Sequence, residues 1–365
     1  MNRKLLKYID YPILILILLI TTLSILIISS ATHATSPGGS FHYAKMQFLW
    51  FCIGLLAMFF IMSIDYHTIA YWSNVIYAVN LCMLIAVMII GRESMGAQRW
   101  IPIGSFGLQP SEFAKLAVVI TLAKYLERKK VLNDIKDVAL AFLHVGLPLI
   151  LIMKQPDLGT SLVLLAILFG MIFVAGISYK LFGAIIGSGI LCLPLVWRFL
   201  KPYQKKRIIV FLNPNLDPLG AGYHVIQSKI AIGSGRLLGK GLFHGTQNQL
   251  DFIPEQHTDF IFAVLGEELG FIGGMLLLIL FFLLLYRTIQ IALKARDLLG
   301  TYMVVGIATM WTFQILVNIG MTLGIMPVTG IPLPFMSYGG SSFLMNMISV
   351  GIVLNVGMRR QKILF

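Results

Sequence analysis

Long apolar runs separated by short polar stretches set the pattern of this chain. Windows near 11–31, 46–64, 71–90, 112–125, 138–153, 160–177, 180–198, 269–286, 302–323 and 339–357 are rich enough in Leu, Ile, Val, Phe and Met to predict about ten membrane helices. The fourth and fifth are short. The pattern predicts an all-α polytopic membrane protein read as one domain over residues 1–365, with a large extracytoplasmic loop near 199–258 between helices 7 and 8. The first run, Tyr11 to Ile28, is too long for a cleaved signal and reads as a retained helix.

Basic residues choose the orientation. Arg3, Lys4, Lys7, Arg128, Lys129, Lys130, Lys136, Lys180, Arg287, Lys294, Arg296, Arg359, Arg360 and Lys362 all fall on one set of connections. The short opposite connections hold only Lys45, Arg92, Arg99 and Lys154. The positive-inside rule then places both termini in the cytoplasm. Residues 32–45, 91–111, 154–159, 199–258 and 324–338 would lie outside, and nearly all the unusual sequence lies there.

Composition agrees: 58% of residues are hydrophobic and only 12% charged, with a mean hydropathy of +0.87. A net charge of +13 would suggest nucleic acid for a soluble protein, but here topology accounts for most of it and no nucleic-acid partner is expected. Cys52, Cys82 and Cys192 sit in apolar runs, without zinc spacing or a disulfide framework. No phosphate loop or ATPase signature occurs.

The chemistry concentrates in Ile253 to Gly270, where Glu255, Asp259, Glu267 and Glu268 fall among the chain's fifteen acidic residues. Carboxylates beside a membrane helix are costly unless used or neutralised. Thr258 is expected to cap a short helix beginning at Asp259, with the span starting near Leu269. The apolar flank Phe260–Phe262 should raise the Asp259 carboxyl pKa and suit it to a base, and a nearby cation would lower it. A plain helix-start residue is the competing reading. Glu255 and His257 accompany it, while Glu267 and Glu268 read as helix-end charges or partners for Arg or Lys.

Other motifs carry two readings each. Arg99 precedes Gln109-Pro110-Ser111-Glu112-Phe113-Ala114-Lys115; Glu112 and Lys115, three apart, share a helix face. They form either a structural ion pair or a polar cavity wall where Lys115 meets an anion. Asp157, in Lys154-Gln155-Pro156-Asp157, caps a helix or joins that cavity. Tyr223 to Ile232 reads as an amphipathic segment at the surface. The glycine-rich Gly233 to Gly245, with Arg236 and Lys240, is a solvated basic loop or a backbone approach to a diphosphate. Pro327 to Ser342, including Ser337, cannot be a continuous helix and lines a cavity or forms a re-entrant loop.

Taken together, RWIPIG, LQPSEFAK, KQPDLGTS, PEQHTDFIFAVLGEELG and GIMPVTGIPLPFMSYGGSS resemble the SEDS family (shape, elongation, division and sporulation), in order and across nearly the whole chain. Asn213 to Gly235 and His244 to Phe262 resemble its elongation branch more than its division branch. Arg236 stands where that pattern has glycine. The resemblance implies polymerisation of lipid II on the outer face of the bacterial cytoplasmic membrane. Asp259 matches the family's required aspartate, and Glu112 and Lys115 its polar-cavity positions. The implied partners are a class B penicillin-binding protein and elongation-complex membrane proteins. A divalent cation, Mg or Mn, shared with the substrate diphosphate would help the leaving group, as would Lys115, Arg99, Arg236 or Lys240. Alternatives are a lipid-linked precursor flippase, a division or sporulation polymerase, and a scaffold for the transpeptidase. A flippase predicts polar groups along a path to both faces, whereas here they crowd one side.

Overall fold

A computed structural model describes residues 7–33, 41–94, 97–104, 106–129, 132, 134–200, 202–218 and 220–360. Arg3, Lys4, Lys130 and Lys362 of the charge pattern, and much of the 32–45 connection, lie outside them. The helices in chain order are α1 (Tyr11–Ala31), α2 (His42–Ser63), α3 (Tyr66–Tyr71), α4 (Ser73–Ile90), α5 (Pro110–Lys129), α6 (Ile135–Lys154), α7 (Leu158–Val174), α8 (Tyr179–Phe199), α9 (Pro202–Leu212), α10 (Ala221–Ser234), α11 (Thr246–Gln249), α12 (Ile261–Leu293), α13 (Leu298–Thr322) and α14 (Gly340–Met358). Among the described residues seven of them are long and apolar enough to cross a membrane: α1, α2, α4, α6, α12, α13 and α14. The apolar window near 112–125 falls on α5, whose charged ends dilute its hydropathy, and α7 is one of the shorter apolar helices. The fold is that of an all-α polytopic membrane protein.

Burial separates inner from rim helices. In α14 and α13, 83% and 72% of the apolar window is buried, against 22% in α2 and α4, so the last two helices form the centre of the bundle. One apolar cluster runs continuously from Ile13 to Met358. Some polar side chains inside it pair with one another: Trp311 Nε1 donates to Asn346 Oδ1 at 2.8 Å.

Two features depart from the helical reading. β1 (Arg92–Ser94), β2 (Ala97–Ile103) and β3 (Phe106–Leu108) form a small antiparallel sheet in that order. Ile101 pairs with Leu108 and Ile103 with Phe106 across a turn in which Gly104 takes φ +59. The long stretch after α8 carries helices: α9 and α10 occupy much of its first half, and the amphipathic segment Tyr223 to Ile232 lies within α10.

α12 is 33 residues long, about 50 Å at ~1.5 Å per residue, well beyond a hydrocarbon core of roughly 30 Å. It breaks at Gly270, where φ is 65° and ψ −160°. The break strands backbone groups that a continuous helix would pair. Glycine-rich residues 235–241 satisfy them. Lys240 N and Gly241 N donate to the Glu267 and Glu268 carbonyls at 3.1 and 3.0 Å, while Phe271 N and Ile272 N donate to the Arg236 and Leu237 carbonyls at 2.8 and 3.1 Å. The expectation that these glycines cradle a diphosphate is thereby corrected: they admit the backbone of α12. At Gly239 φ is +78°, and a Cβ would lie 2.1 Å from the Glu268 carbonyl oxygen. Gly239→Ala is expected to cost at least ~1–3 kcal/mol, read as a lowered Tm. Gly183→Ala, inside α8 with nothing within 4 Å of its Cβ, should not lower Tm.

Candidate active site

The segments grouped by sequence on one face do converge at one end of the bundle. Arg99 Nε donates to the Gln155 carbonyl at 3.2 Å, and Ser111 Oγ to Asp157 Oδ2 at 3.3 Å. Tyr338 N donates to the His257 carbonyl at 2.9 Å. His257 packs between Tyr43, with ring centroids 4.8 Å apart, and Tyr338, at 5.7 Å.

Asp259 lies in the turn that ends one residue before α12. The expected Thr258 cap is not formed. Instead Thr258 Oγ1 donates to the Glu255 carbonyl and to Glu255 Oε2 at 3.3 and 3.1 Å, and the helix begins at Ile261. Thr258 N and Phe260 N also donate to the Glu255 carbonyl, closing the turn. Glu255 itself sits at φ +51°, a left-handed conformation that persists only where neighbours fix it. Asn318 Nδ2, from α13, donates to the Asp259 and Ile331 carbonyls at 3.0 and 2.8 Å, tying the turn to the bundle.

The Asp259 side chain is partly buried on a cavity of about 280 Å³ whose wall includes Arg207, His224, Glu255, Phe260 and Val328. Among the described residues neither carboxylate oxygen has a hydrogen-bond partner. Gly330 (φ +73°) passes so close that a Cβ there would lie 3.3 Å from Asp259 Oδ2. Burial pushes the Asp259 carboxyl up to about 6, Glu255 adds to that, and Arg207 and Arg99 pull against it. Burial also pushes the imidazoles of His224 and His257 down. His224 stacks on Phe260 at 5.9 Å.

Several expected site residues are engaged elsewhere. Glu112 and Lys115 pair with each other, Oε1 to Nζ at 2.8 Å, with side chains 3% and 1% exposed; they do not line this cavity. Asp157 caps α7, accepting from Thr160 N at 3.1 Å and Thr160 Oγ1 at 2.9 Å. Arg99 is committed to the Gln155 and Pro156 carbonyls, and acts on Asp259 only through its charge. Gln109 contributes its backbone N–H to Ser341 Oγ at 3.1 Å. Ser337 is buried, its Oγ donating to the Thr258 carbonyl at 2.6 Å and accepting from Leu333 N at 2.8 Å, so its hydroxyl shapes the loop rather than faces a ligand. Arg236 lines a separate apolar groove with Gly266, Gly270 and Gly274. Lys240 Nζ binds the fully buried Glu267 at 2.7 Å, as the reading of Glu267 as a partner for a cation requires. Sequence reasoning missed Arg207 and His224, which α9 and α10 bring to the cavity across the chain fold.

The likenesses to known proteins agree with this architecture. Residues 10–362 match the family model described as cell cycle protein, the FtsW/RodA/SpoVE group. Stage V sporulation protein E of Bacillus subtilis is 44% identical over 359 residues, covering 95% of this chain and 96% of that protein. Peptidoglycan glycosyltransferase MrdB of Escherichia coli K12 is 41% identical over 346 residues, covering 94% and 93%. Among solved structures, a chain of a peptidoglycan synthase complex that coordinates polymerization and crosslinking superposes with a TM-score of 0.82 at 33% identity, covering 96% of this chain and 98% of that one. The rod shape determining protein RodA of Thermus thermophilus gives 0.73 at 31% identity, covering 97% and 98%. The match over nearly the whole length, in sequence and in shape, means that the chain belongs to the FtsW/RodA/SpoVE, or SEDS, family.

Proposed function

We propose that this chain is a peptidoglycan glycosyltransferase that polymerises lipid II into β-1,4 glycan strands during cell elongation. The observation that carries the chemistry is Asp259: a carboxylate without a hydrogen-bond partner among the described residues, on a cavity beside a cation, raised to about 6. A carboxylate so placed is free to accept a proton near neutral pH. The acceptor's sugar 4-hydroxyl gives its proton to Asp259 while its oxygen bonds to the donor's anomeric carbon. The bond from that carbon to the diphosphate oxygen breaks, and undecaprenyl diphosphate leaves with the electron pair. One displacement inverts the α-linked donor to a β-glycoside. The diphosphate needs charge neutralisation rather than a strong acid, and Arg207 is the cavity cation that supplies it.

Among the described residues no three His, Cys, Asp or Glu side chains converge on one point. A divalent cation here would be held by Glu255 together with diphosphate oxygens, and would neutralise leaving-group charge. The basic connections support a single domain of ten spans with both termini cytoplasmic, the cavity outside, and α9 to α11 between the seventh and eighth spans. A class B penicillin-binding protein supplies crosslinking, a reading supported by the likeness to the synthase complex. The elongation role is supported by the likeness to RodA. The 44% identity to stage V sporulation protein E favours a second reading, the same chemistry used in sporulation.

Glycan strands formed from lipid II by the purified chain, with and without its partner, test the proposal; no strands under either condition would overturn it. Arg207→Gln is expected to lower turnover by on the order of 10²-fold, the size of losing one charge-stabilising donor.

A further inference from the structure

At the end of the bundle remote from Asp259, the α2–α3 connection, the start of α13 and the end of α14 meet around His67. The ring's Nδ1 lies 3.0 Å from Asp65 Oδ1 and its Nε2 3.0 Å from Asp297 Oδ2. Both carboxylates also cap helices. Asp65 accepts from His67 N at 2.9 Å at the start of α3, and Asp297 accepts from Gly300 N at 2.8 Å at the start of α13. Arg359, just past α14, places Nε 3.1 Å from Asp65 Oδ2 and donates from its guanidinium to Asn355 Oδ1 at 2.6 Å. Asn355 in turn donates to the Ile61 carbonyl of α2 at 2.8 Å. Tyr66 O–H donates to Asp297 Oδ2 at 2.7 Å, and Arg296 acts on Tyr66 through its charge.

A neutral imidazole has one donor and one acceptor nitrogen. With a carboxylate oxygen against each nitrogen, either neutral tautomer would turn a lone pair toward an anion. Only the imidazolium donates to both. Burial raises Asp65, but hydrogen bonds from His67 and the charge of Arg359 outweigh it and hold that carboxyl below its ordinary range, so Asp65 does not carry the proton. Arg359 neutralises one of the two carboxylates, and the imidazolium neutralises the other.

We infer that His67 is a proton-binding site, held as an imidazolium between Asp65 and Asp297, whose proton clamps together the ends of α2, α13 and α14 remote from Asp259. The same three helices frame the site at their other ends. α2 carries Tyr43 against His257, α13 carries Asn318 under Asp259, and α14 follows Tyr338. Loss of the proton leaves a lone pair facing a carboxylate and frees one helix junction from the other two.

Nitrogen NMR of the full-length chain, isotope-labelled at histidine and held in lipid nanodiscs near neutral pH, reads the protonation directly. Both His67 nitrogens are expected to carry protons, and Asp297→Asn should return the ring to a neutral tautomer. A neutral tautomer in the unmodified chain overturns the inference. The measurement does not depend on glycosyl transfer.

Discussion

Asp259→Asn is expected to abolish strand formation from lipid II, a loss of at least ~10²–10⁴-fold for removal of a general base, while leaving the fold intact. Asparagine keeps the shape of the side chain and its fit beside Gly330, but cannot accept the hydroxyl proton. The unmodified chain's activity should rise with pH through about 6, where Asp259 ionises. The same shift makes a stability prediction of opposite sense. The folded state holds the Asp259 proton more tightly than the unfolded chain does, so this group's contribution to stability is greatest below pH ~4 and is lost as pH rises through about 6. Ionised Asp259 therefore costs the fold on the order of 1–3 kcal/mol at neutral pH. Asp259→Asn should be inactive and yet melt higher than the unmodified chain at pH 7. Near-normal polymerisation by this variant would remove Asp259 from the chemistry.

The second large effect concerns the buried pair. Lys115→Met leaves the Glu112 carboxylate uncompensated at a site 3% exposed and should destabilise the chain by ~3–5 kcal/mol. The double variant Glu112→Gln, Lys115→Met removes both charges and is expected to recover most of that loss. If the double variant is no more stable than the single, the two side chains do not act as a pair. Chemical denaturation in a fixed detergent, with the four chains of the cycle compared, yields the coupling energy.

Much of this was legible in the sequence because it follows from local rules. Three-residue spacing placed Glu112 on Lys115, and the acid after Pro156 announced the α7 cap. The apolar flank of Asp259 foretold its raised carboxyl, and the distribution of basic residues grouped the segments that meet at one end. What escaped was set by contacts between distant segments. Arg207 escaped because only the placement of α9 brings it to the wall of the cavity that also holds Glu255 and Asp259. The glycines from 235 to 241 suit either a phosphate or a helix backbone, and only the break at Gly270 decides between them. Helix α12 starts at Ile261 rather than at the expected Asp259, because Glu255 engages the hydroxyl of Thr258.

The four hydrogen bonds across the Gly270 break also constrain motion. A kinked helix is commonly a hinge, free to bend because its unpaired groups can turn to water. Here those groups bond to another part of the chain instead. Residues 235–241 and the two halves of α12 therefore move as one body. The turn that carries Asp259 is joined directly to that body. Any advance of the base toward its substrate must then come from displacement of the whole unit against α13 and α1, and a partner that grips the exposed face of α12 would have a handle on the position of the carboxylate.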